Sequence, residues 1–267
     1  MRIAIHHRTK YHYDKPFNHA VQSLRLRPPS GQSQSVVSWD IAVPGFSEAA
    51  QYIDAFGNRV DLVTPSGSID SLEIIAEGLV ETHQTGGITG FTNEIARPGV
   101  FLRDTAITTS NLQIIDFAQT RQKTRILDTL HSLLSGIFED VVYDTGATHS
   151  ATTAAEAFKA KRGVCQDHAH IFISAARQLG IPARYVTGYL FVETDDRAVA
   201  HHAWSEAFTE DLGWIGFDAA NGVCPTENYV RLAVGLDAVS AAPIKGTMRG
   251  SGVERLAVEV VVRQAQQ

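Results

Sequence analysis

The order in which strand-like and helix-like segments follow one another limits this chain to few folds. Roughly the first 95 residues consist of short apolar runs such as Arg2–Thr9, Val36–Val43, Arg59–Val63 and Leu72–Val80. Turn residues, among them Pro28–Gly31, separate these runs. Strands that recur about every 8–12 residues are typical of a β-sandwich, so we expect a β-sandwich-like N-terminal domain.

The pattern changes to helical spacing after the first hundred residues. Apolar residues recur at three- and four-residue intervals, which places them on one face of a helix. Gly180, followed by Ile181-Pro182, ends the last of these segments, because glycine permits a left-handed cap and proline cannot continue a helix. The predicted helices are Asn111–Gln119, Lys123–Glu139, a short helix that begins with the capping box Thr153-Ala-Ala-Glu156, and Cys165–Leu179.

Strands return after the helices. The predicted strands are Ala183–Val192, His202–Thr209, Trp214–Asp218 and Arg255–Val262. Helices followed by strands, without regular β-α-β alternation, indicate the α+β class and not a doubly wound sheet. We expect an N-terminal β-rich domain over residues 1–100 and a second domain over residues 101–267, joined by an aperiodic segment around residues 86–99.

The composition is that of a globular protein and argues against several partners. The 267 residues are 44% hydrophobic and 19% charged, with a formal net charge of -6. Nucleic acid is not expected as a partner, because its binding depends on clustered Lys and Arg. The first residues contain no apolar run of signal-peptide length, and no stretch reaches the ~20 apolar residues of a membrane span. We therefore expect a cytoplasmic protein with no membrane partner. The sequence leads to no prediction about whether the protein is a monomer or an oligomer.

Only two cysteines are present, Cys165 and Cys224. Two thiols exclude a disulfide framework and a four-thiolate zinc site. Cys165 stands where a helix begins, and there the unpaired N–H groups and the positive end of the helix dipole favour a thiolate. Gly163, two residues earlier, allows a tight turn and keeps bulk away from the sulfur. A buried structural cysteine is the alternative interpretation of Cys165, and Cys224 is expected to be a small buried hydrophobe.

A cysteine nucleophile needs a base that accepts and returns its proton, and a third group that orients this base. The candidate base is His202, at the start of a predicted strand, and the candidate orienting group is Asp218, at the end of the next strand. The segment Glu210–Gly213 predicts a hairpin turn between them. Because side chains alternate between the faces of a sheet, His202 and Asp218 share a face only if the loop has an odd number of residues or a β-bulge intervenes.

Four segments together resemble the core of the transglutaminase-like family. They are Gly163-Val-Cys165-Gln-Asp-His-Ala169, Gly180-Ile-Pro-Ala-Arg-Tyr185-Val-Thr-Gly188-Tyr189, His202-Ala-Trp204-Ser-Glu206 and Gly213-Trp-Ile-Gly-Phe-Asp218-Ala-Ala-Asn221-Gly222, within roughly residues 110–225. The first hundred residues, with Leu24-Arg-Leu-Arg27-Pro28 and Asp54-Ala-Phe-Gly57-Asn58, resemble the β-rich N-terminal domain of bacterial members. The resemblance implies a papain-like fold, in which the nucleophile begins a helix that packs on an antiparallel sheet.

The resemblance also implies roles for individual residues. Cys165 would be the nucleophile, His202 the general base and then acid, and Asp218 the group that orients the imidazole. His202 is preferred over His201 because the base of the family directly precedes Ala-Trp. Backbone N–H groups near Cys165 are the expected oxyanion donors, since a helix N-terminus points them outward. No further group that would complete the oxyanion hole is predicted.

The implied reaction is cysteine-dependent acyl transfer on a peptide or carboxamide bond through a thioester, with a peptide or protein as substrate and no cofactor. Water as acceptor gives a protease or amidase, and a primary amine gives a transglutaminase. Hydrolysis is favoured because many bacterial relatives are described as proteases. Relatives commonly carry an aromatic residue where His168 stands and a proline where Ala219 stands, and these departures bear on substrate preference and local rigidity.

Three other interpretations are disfavoured. A zinc hydrolase or deaminase would use Cys165, His168 and His170, but residues 165 and 170 diverge by about 140° around a helix and no zinc-hydrolase motif is present. A non-catalytic binding module of the same fold is disfavoured because all three members of the candidate triad are present. Calcium regulation is not expected, because Asp195-Asp196 lacks the alternating oxygen ligands of a calcium loop.

Overall fold

The computed structural model describes residues 1–44, 50–64, 66–90, 95–193, 201–249 and 253–265. Within these ranges the chain forms thirteen strands, four α-helices and one 3-10 turn. The α+β class and the helical core that packs on an antiparallel sheet agree with the sequence prediction. None of the helices in the described ranges has the length and apolar character required to cross a membrane.

The N-terminal region is built around one long strand, β1. Its odd-numbered side chains from Ile3 to Tyr13 are buried while the side chains of His12 and Asp14 are exposed, which is the alternation of a strand with one solvent-facing side. The strands of this region are β1 (Arg2–Leu24), β2 (Gln34–Ala42), β3 (Ala50–Ile53), β4 (Arg59–Val63) and β5 (Ser66–Thr82).

The last strands of the chain return to this first sheet. Strands β12 (Ile244–Arg249) and β13 (Glu254–Gln264) both pair with β1 in antiparallel register. Hydrogen bonds thereby join seven strands into one sheet of order β2-β5-β1-β4-β3, with β12 and β13 attached to β1. The predicted division into residues 1–100 and 101–267 therefore does not describe β12 and β13, which lie in the second range but belong to the N-terminal sheet. The backbone N–H and C=O groups on the other side of β1 need partners, and β13 supplies them.

The helices form one layer of the second unit, and a four-stranded sheet forms the other. Helix α4 packs against β8 and β9, and its inward-facing residues, such as Ile171 and Phe172, are fully buried. The four-stranded sheet has the order β10-β9-β8-β11, and β6 and β7 form a short parallel pair. The bounds are α1 (Leu112–Arg121), α2 (Ile126–Asp140), β6 (Val142–Tyr143), α3 (Ala154–Ala160), β7 (Arg162–Gly163), α4 (Cys165–Gln178), β8 (Ala183–Leu190), β9 (His201–Thr209), β10 (Gly213–Phe217) and β11 (Tyr229–Gly235), with the 3-10 turn at Pro98–Leu102.

Local signals account for the ends of several helices. The side chain of Asn111 accepts a hydrogen bond from the backbone N–H of Ile114 at 2.9 Å and so begins α1. The predicted capping box is present at α3, where Thr153 and Glu156 each accept a hydrogen bond from the other's backbone N–H. Strand β11 was not predicted, because all its residues are buried and a strand buried on both faces has no alternating pattern.

Two amide side chains join the N-terminal region to the edge strand β11. The side chain of Gln34 donates to the carbonyl oxygen of Arg231 at 2.9 Å and accepts from its N–H at 2.7 Å. Asn58 makes the same two-way contact with Val234, at 2.8 Å in each direction. These side chains supply the hydrogen bonds that a further strand would have made, so β11 has no free edge at these positions.

The two units also share apolar packing. Tyr189, Val230 and Leu232, from the four-stranded sheet, are buried together with side chains of the N-terminal sheet. The hydroxyl of Tyr189 is hydrogen-bonded to Nδ1 of His7 at 2.8 Å. The N-terminal region therefore packs directly against one side of the four-stranded sheet.

Gly188 lies at the most crowded point of the four-stranded sheet. It stands opposite His202 on β9, next to the irregular register between β8 and β11. An added Cβ would collide with the carbonyl oxygen of Val230 and would lie 2.6 Å from the ring of Trp204. Glycine is therefore required here by space, not by an unusual backbone angle.

Gly188→Ala is expected to lower the free energy of unfolding by about 1–3 kcal/mol, because the methyl group overpacks a rigid junction of three strands. The measurement is urea unfolding, and Gly99→Ala is the matched control, since a Cβ at Gly99 meets no atom within 4 Å. Equal midpoints for the two variants would contradict this account of the junction.

Candidate active site

Cys165 is the first residue of α4, as its sequence position predicts. The turn before it is held by Asp167, whose Oδ2 accepts hydrogen bonds from the N–H of Val164 at 2.8 Å and from the hydroxyl of Thr148 at 2.6 Å. Because Cys165 begins the helix, its own N–H has no carbonyl partner within α4. The sulfur is half-buried and lies at the positive end of the helix dipole.

Gly163 makes room for the side chain that caps α4. A Cβ at this position would lie 2.6 Å from Cβ of Asp167. Gly163 was expected to allow a tight turn and to keep bulk away from the sulfur. Its backbone φ is not positive, however, and the side chain of Asp167 occupies the volume that a Cβ on Gly163 would need. Gly163 therefore acts on Cys165 indirectly, through the cap that fixes the start of the helix.

His202 and Asp218 meet as the hairpin register predicts. Thr209 pairs with Gly213, so the connecting loop has three residues, 210–212, which is the required odd number. Gly213 adopts φ 72°, the left-handed conformation typical of three-residue hairpins. Both side chains consequently project from the same face, and Nε2 of His202 donates to Oδ2 of Asp218 at 2.7 Å.

Asp218 is buried but heavily hydrogen-bonded. Besides His202, its Oδ2 accepts from Nδ2 of Asn221 at 2.7 Å and from the hydroxyl of Tyr229 at 2.8 Å. Its Oδ1 accepts from the backbone N–H groups of Ala220 and Asn221. Burial alone would raise the pKa of Asp218, but these hydrogen bonds, led by that of His202, hold it below its usual value. Asp218 is therefore an anion fixed in position.

His202 lies between this carboxylate and the sulfur. Burial would lower the pKa of His202, but hydrogen bonding to Asp218 and Cys165, together with their charges, raises it to about 10. Since Nε2 is occupied by Asp218, Nδ1 is the ring nitrogen left for Cys165. The rings of Trp204 and Tyr229 flank the imidazole, with centroids 6.3 Å and 6.0 Å away. A cationic imidazole beside a cysteine favours the thiolate form.

The neighbouring His201 has a different environment. Its Nε2 contacts the hydroxyl of Thr187 at 3.0 Å, and its ring lies 6.0 Å from that of His7. Burial and the nearby His202 lower the pKa of His201 to about 4, so it is neutral at physiological pH. Of the two adjacent histidines, His202 is the one hydrogen-bonded to the carboxylate of Asp218.

The histidines of the rejected zinc hypothesis are engaged elsewhere. The ring nitrogens of His168 lie 2.9 Å and 3.1 Å from the carbonyl oxygens of Val164 and Val141, and Nε2 of His170 accepts from the N–H of Ala238. In the part of the chain that the structure describes, no three His, Cys, Asp or Glu side chains are grouped to hold a metal ion. Asp195 and Asp196 lie outside the described residues.

Sequence reasoning missed three residues of the site, namely Asn221, Tyr229 and Tyr143. Asn221 belongs to a quoted motif, and its offset of three residues from Asp218 was the signal that could have identified it. Tyr229 is the first residue of the unpredicted strand β11, so no pattern pointed to it. Tyr143 lies on a two-residue strand, and burial, followed by the charge of Cys165, raises its pKa.

Sequence profiles of known families match both parts of the chain. Residues 115–219, which include Cys165, His202 and Asp218, match the profile described as "Transglutaminase-like superfamily". Residues 3–81 match that of the "Bacterial transglutaminase-like N-terminal region". The chain belongs to the transglutaminase-like superfamily. Together the two matches cover well over half of it.

Full-length relatives of this transglutaminase-like protein occur in mycobacteria. An uncharacterized protein of Mycobacterium leprae is 29% identical over 275 residues, covering 98% of each chain. One of Mycobacterium bovis is 26% identical, covering 97% of this chain and 92% of its own. Among solved structures, "a Putative Cysteine Protease from Cytophaga hutchinsonii" is 22% identical with a TM-score of 0.75, covering 100% of this chain and 92% of that one. This likeness shows that the whole fold is shared.

The contact between His202 and Asp218 predicts a pH-dependent stability. Because the pKa of His202 rises from 6.5 in the unfolded chain to about 10 when folded, the stabilisation is fully present below pH 6.5 and is lost as the pH rises through about 10. Asp218→Asn removes the anion that holds this proton. Between pH 7 and about pH 10.5, the free energy of unfolding of Asp218→Asn should therefore decrease less than that of the unaltered protein. The two decreases should differ by at least about 1 kcal/mol.

Urea unfolding at several pH values measures this difference. The matched control is Asp211→Asn, which removes the same charge from an exposed position in the hairpin turn. It should reproduce the pH dependence of the unaltered protein. If Asp218→Asn also reproduced it, the assignment of the raised pKa to this contact would be wrong.

Proposed function

We propose that this protein is a cysteine-dependent enzyme that hydrolyses peptide or carboxamide bonds through a thioester intermediate. The observation that carries the proposal is the 2.7 Å contact between His202 and Asp218. Cys165 adds to it, since it is among the groups that raise the pKa of this imidazole. In this arrangement Cys165 is the nucleophile, His202 moves the proton, and Asp218 fixes the ring and stabilises its charge.

The geometry supports the following sequence of steps. The thiolate of Cys165 attacks the carbonyl carbon, and the carbonyl π electrons move to oxygen. When the intermediate collapses, the C–N bond breaks and His202 transfers its proton to the departing nitrogen. The imidazole, now neutral, accepts a proton from water, which attacks the thioester and releases the acid and the thiolate.

A catalytic role is favoured over that of an idle binding module. A fold that is retained only for binding has no need for a carboxylate desolvated and fixed by five hydrogen bonds, from His202, Asn221, Tyr229 and two backbone N–H groups. Perturbed ionisable groups that cluster in this way are characteristic of catalytic sites. The pKa of His202, raised to about 10, also keeps the proton that the leaving group requires.

Water is the proposed acceptor. The protein from Cytophaga hutchinsonii, which shares the fold over 92% of its length, is described as "a Putative Cysteine Protease", and this description supports hydrolysis here. A transglutaminase, with a primary amine as acceptor, is the alternative that the same thioester allows. We further propose a peptide or protein as substrate, a location in the cytoplasm and no membrane partner. A nucleic-acid partner is not proposed either, in keeping with the net charge of -6.

Incubation of the enzyme with casein, with and without the fluorescent primary amine dansylcadaverine, separates these reactions. We expect the appearance of peptide fragments or the release of ammonia, unchanged by the amine, and a loss to the buffer background in Cys165→Ala. Cys224→Ala is the matched control, because it removes the other of the two cysteines and should keep the activity.

The products decide between the acceptors. Fragments indicate a protease, ammonia without fragments indicates an amidase, and incorporation of dansylcadaverine would replace hydrolysis by transglutamination. If Cys165→Ala gave the same products at the same rate as the unaltered enzyme, cysteine-dependent acyl transfer would be excluded as the source of the activity.

A further inference from the structure

Strand β13 is an edge of the N-terminal sheet. On one side it pairs with β1 without a register shift, from Ile3 opposite Gln264 to Tyr13 opposite Glu254. Within the described ranges no strand pairs with its other side. The eleven residues of β13 also lack the proline, lysine and β-bulge by which edge strands commonly avoid another chain. The outer side of β13 is therefore open to a further strand.

Two hydrogen bonds at the ends of β13 show which of its backbone groups point outward. The N–H of Ala265 donates to the carbonyl oxygen of Arg2 at 2.9 Å, and the N–H of Asp14 donates to that of Val253 at 3.3 Å. Odd-numbered residues of β13 therefore face β1, because alternate residues of an antiparallel strand bond to the same neighbour. The N–H and C=O groups of the even-numbered residues, 254 to 264, point to the open side.

Apolar side chains at one end of β13 are uncovered. Leu256 is 56% exposed and Val258 is 54% exposed, although Leu256 lies opposite the buried Tyr11 of β1 and so shares its face of the sheet. Farther along the strand, Val260 and Val262 pack against the core cluster that the N-terminal sheet shares with the four-stranded sheet. The uncovered end of β13 thus combines open backbone groups with exposed apolar side chains.

The sequence of β13 is complementary to itself when two copies run antiparallel with Ala257 opposite its own copy. Side chains directly opposite each other share a face of the sheet, so even-numbered residues must face even-numbered ones. In this register Arg255 faces Glu259 of the second copy, and Leu256 faces its Val258. Twofold symmetry repeats both contacts. The charged pair occupies positions without mutual backbone hydrogen bonds, where opposite side chains approach most closely.

Other symmetric registers lose this match. A shift by two residues places Arg255 opposite Ala257 or Val261, and a shift by four places it opposite its own copy or Arg263. Like charges that face each other across two strands are destabilising. A shift by one residue would turn Leu256 to the other face of the sheet. The charges of β13 therefore favour a second copy of the same strand in one register.

We propose that the open side of β13 is a dimer interface that takes β13 of a second copy of this chain, centred on Ala257. The two N-terminal sheets then form one continuous sheet, and the contact closes after two subunits because the same surface is used on both. The core cluster of each subunit lies towards Val260 and Val262. Antiparallel pairing consequently puts the two clusters at opposite ends of the new strand pair.

Sedimentation equilibrium at micromolar to submillimolar protein concentration measures the dimer and its Kd. Arg255→Glu would place carboxylates opposite each other at two symmetric positions, so we expect Kd to rise at least about tenfold. Arg255→Glu combined with Glu259→Arg exchanges the charges and should return Kd to within about threefold of the unaltered value. Glu259 lies 4.0 Å from Arg8, which keeps its closer partner Glu73. Arg59→Glu, an exposed change on β4, is the matched control and should not alter Kd.

A proline variant tests the backbone contact. Val258→Pro removes an N–H that points to the open side and none that faces β1, so the sheet within one subunit should be kept. We expect this variant to sediment with the mass of one chain at every concentration. Its urea midpoint, measured where the unaltered protein is a monomer, should lie close to that of the unaltered protein and shows that the fold is retained.

Hydrogen exchange of the unaltered protein provides a measurement without substitutions. Amides of even-numbered residues of β13 should exchange more slowly as the protein concentration rises, whereas odd-numbered amides should be protected at all concentrations. If Val258→Pro does not fold, this measurement and the charge exchange decide.

Four results would overturn the proposal. The first is the mass of a single chain at every concentration, which would leave the open side to a different protein. The second is a dimer that both Val258→Pro and Arg255→Glu leave intact, since it would use another surface. The others are a double variant that fails to recover the Kd lost in Arg255→Glu, and exchange of the even-numbered amides that does not depend on concentration.

Discussion

The hydrogen bond between His202 and Asp218 is the interaction around which the site is organised, and it depends on the length of one turn. The three-residue loop between β9 and β10 puts both side chains on the same face of the sheet, and a loop one residue longer or shorter would separate them. Everything else at the site adds to this contact. Asn221 and Tyr229 hold the carboxylate, and the carboxylate holds the imidazole and keeps it charged.

A buried cluster of opposite charges connects two of the segments that carry the family resemblance. Oε2 of Glu206 lies 2.6 Å from Nε of Arg184, and Oε1 lies 2.9 Å from Nε of Arg231. The side chain of Glu206 is almost completely buried. A buried carboxylate flanked by two guanidinium groups tolerates the loss of neither partner, since the remaining charge would be left without compensation. The contact spans β8, β9 and β11, and the second residue of β9 is the catalytic candidate His202. This explains why the Gly-Ile-Pro-Ala-Arg segment accompanies the triad residues.

Sequence reasoning predicted the parts of the fold that are specified locally. The capping box at Thr153, the helix that begins at Cys165 and the hairpin before Gly213 depend on neighbouring residues, and each is found where it was expected. Contacts between distant segments were not predictable in this way. The return of β12 and β13 to β1 depends on which edge of a sheet lacks partners, and β11 is buried on both faces, so its sequence has no alternation. The approach of Tyr143 to Cys165 arises from a two-residue strand, which is too short to leave a pattern.

The pairing of β1 with β13 has a consequence for how the chain is made. Ile3 lies opposite Gln264, so the first strand obtains this neighbour only after the ribosome has synthesised β13. Until then one side of β1 exposes unpaired backbone groups, and such edges are prone to join other chains. Contacts between residues so far apart also slow folding, because a large loop must close before they form. The first sheet is accordingly expected to stay incomplete until β13 has been synthesised, although the helical core can assemble earlier.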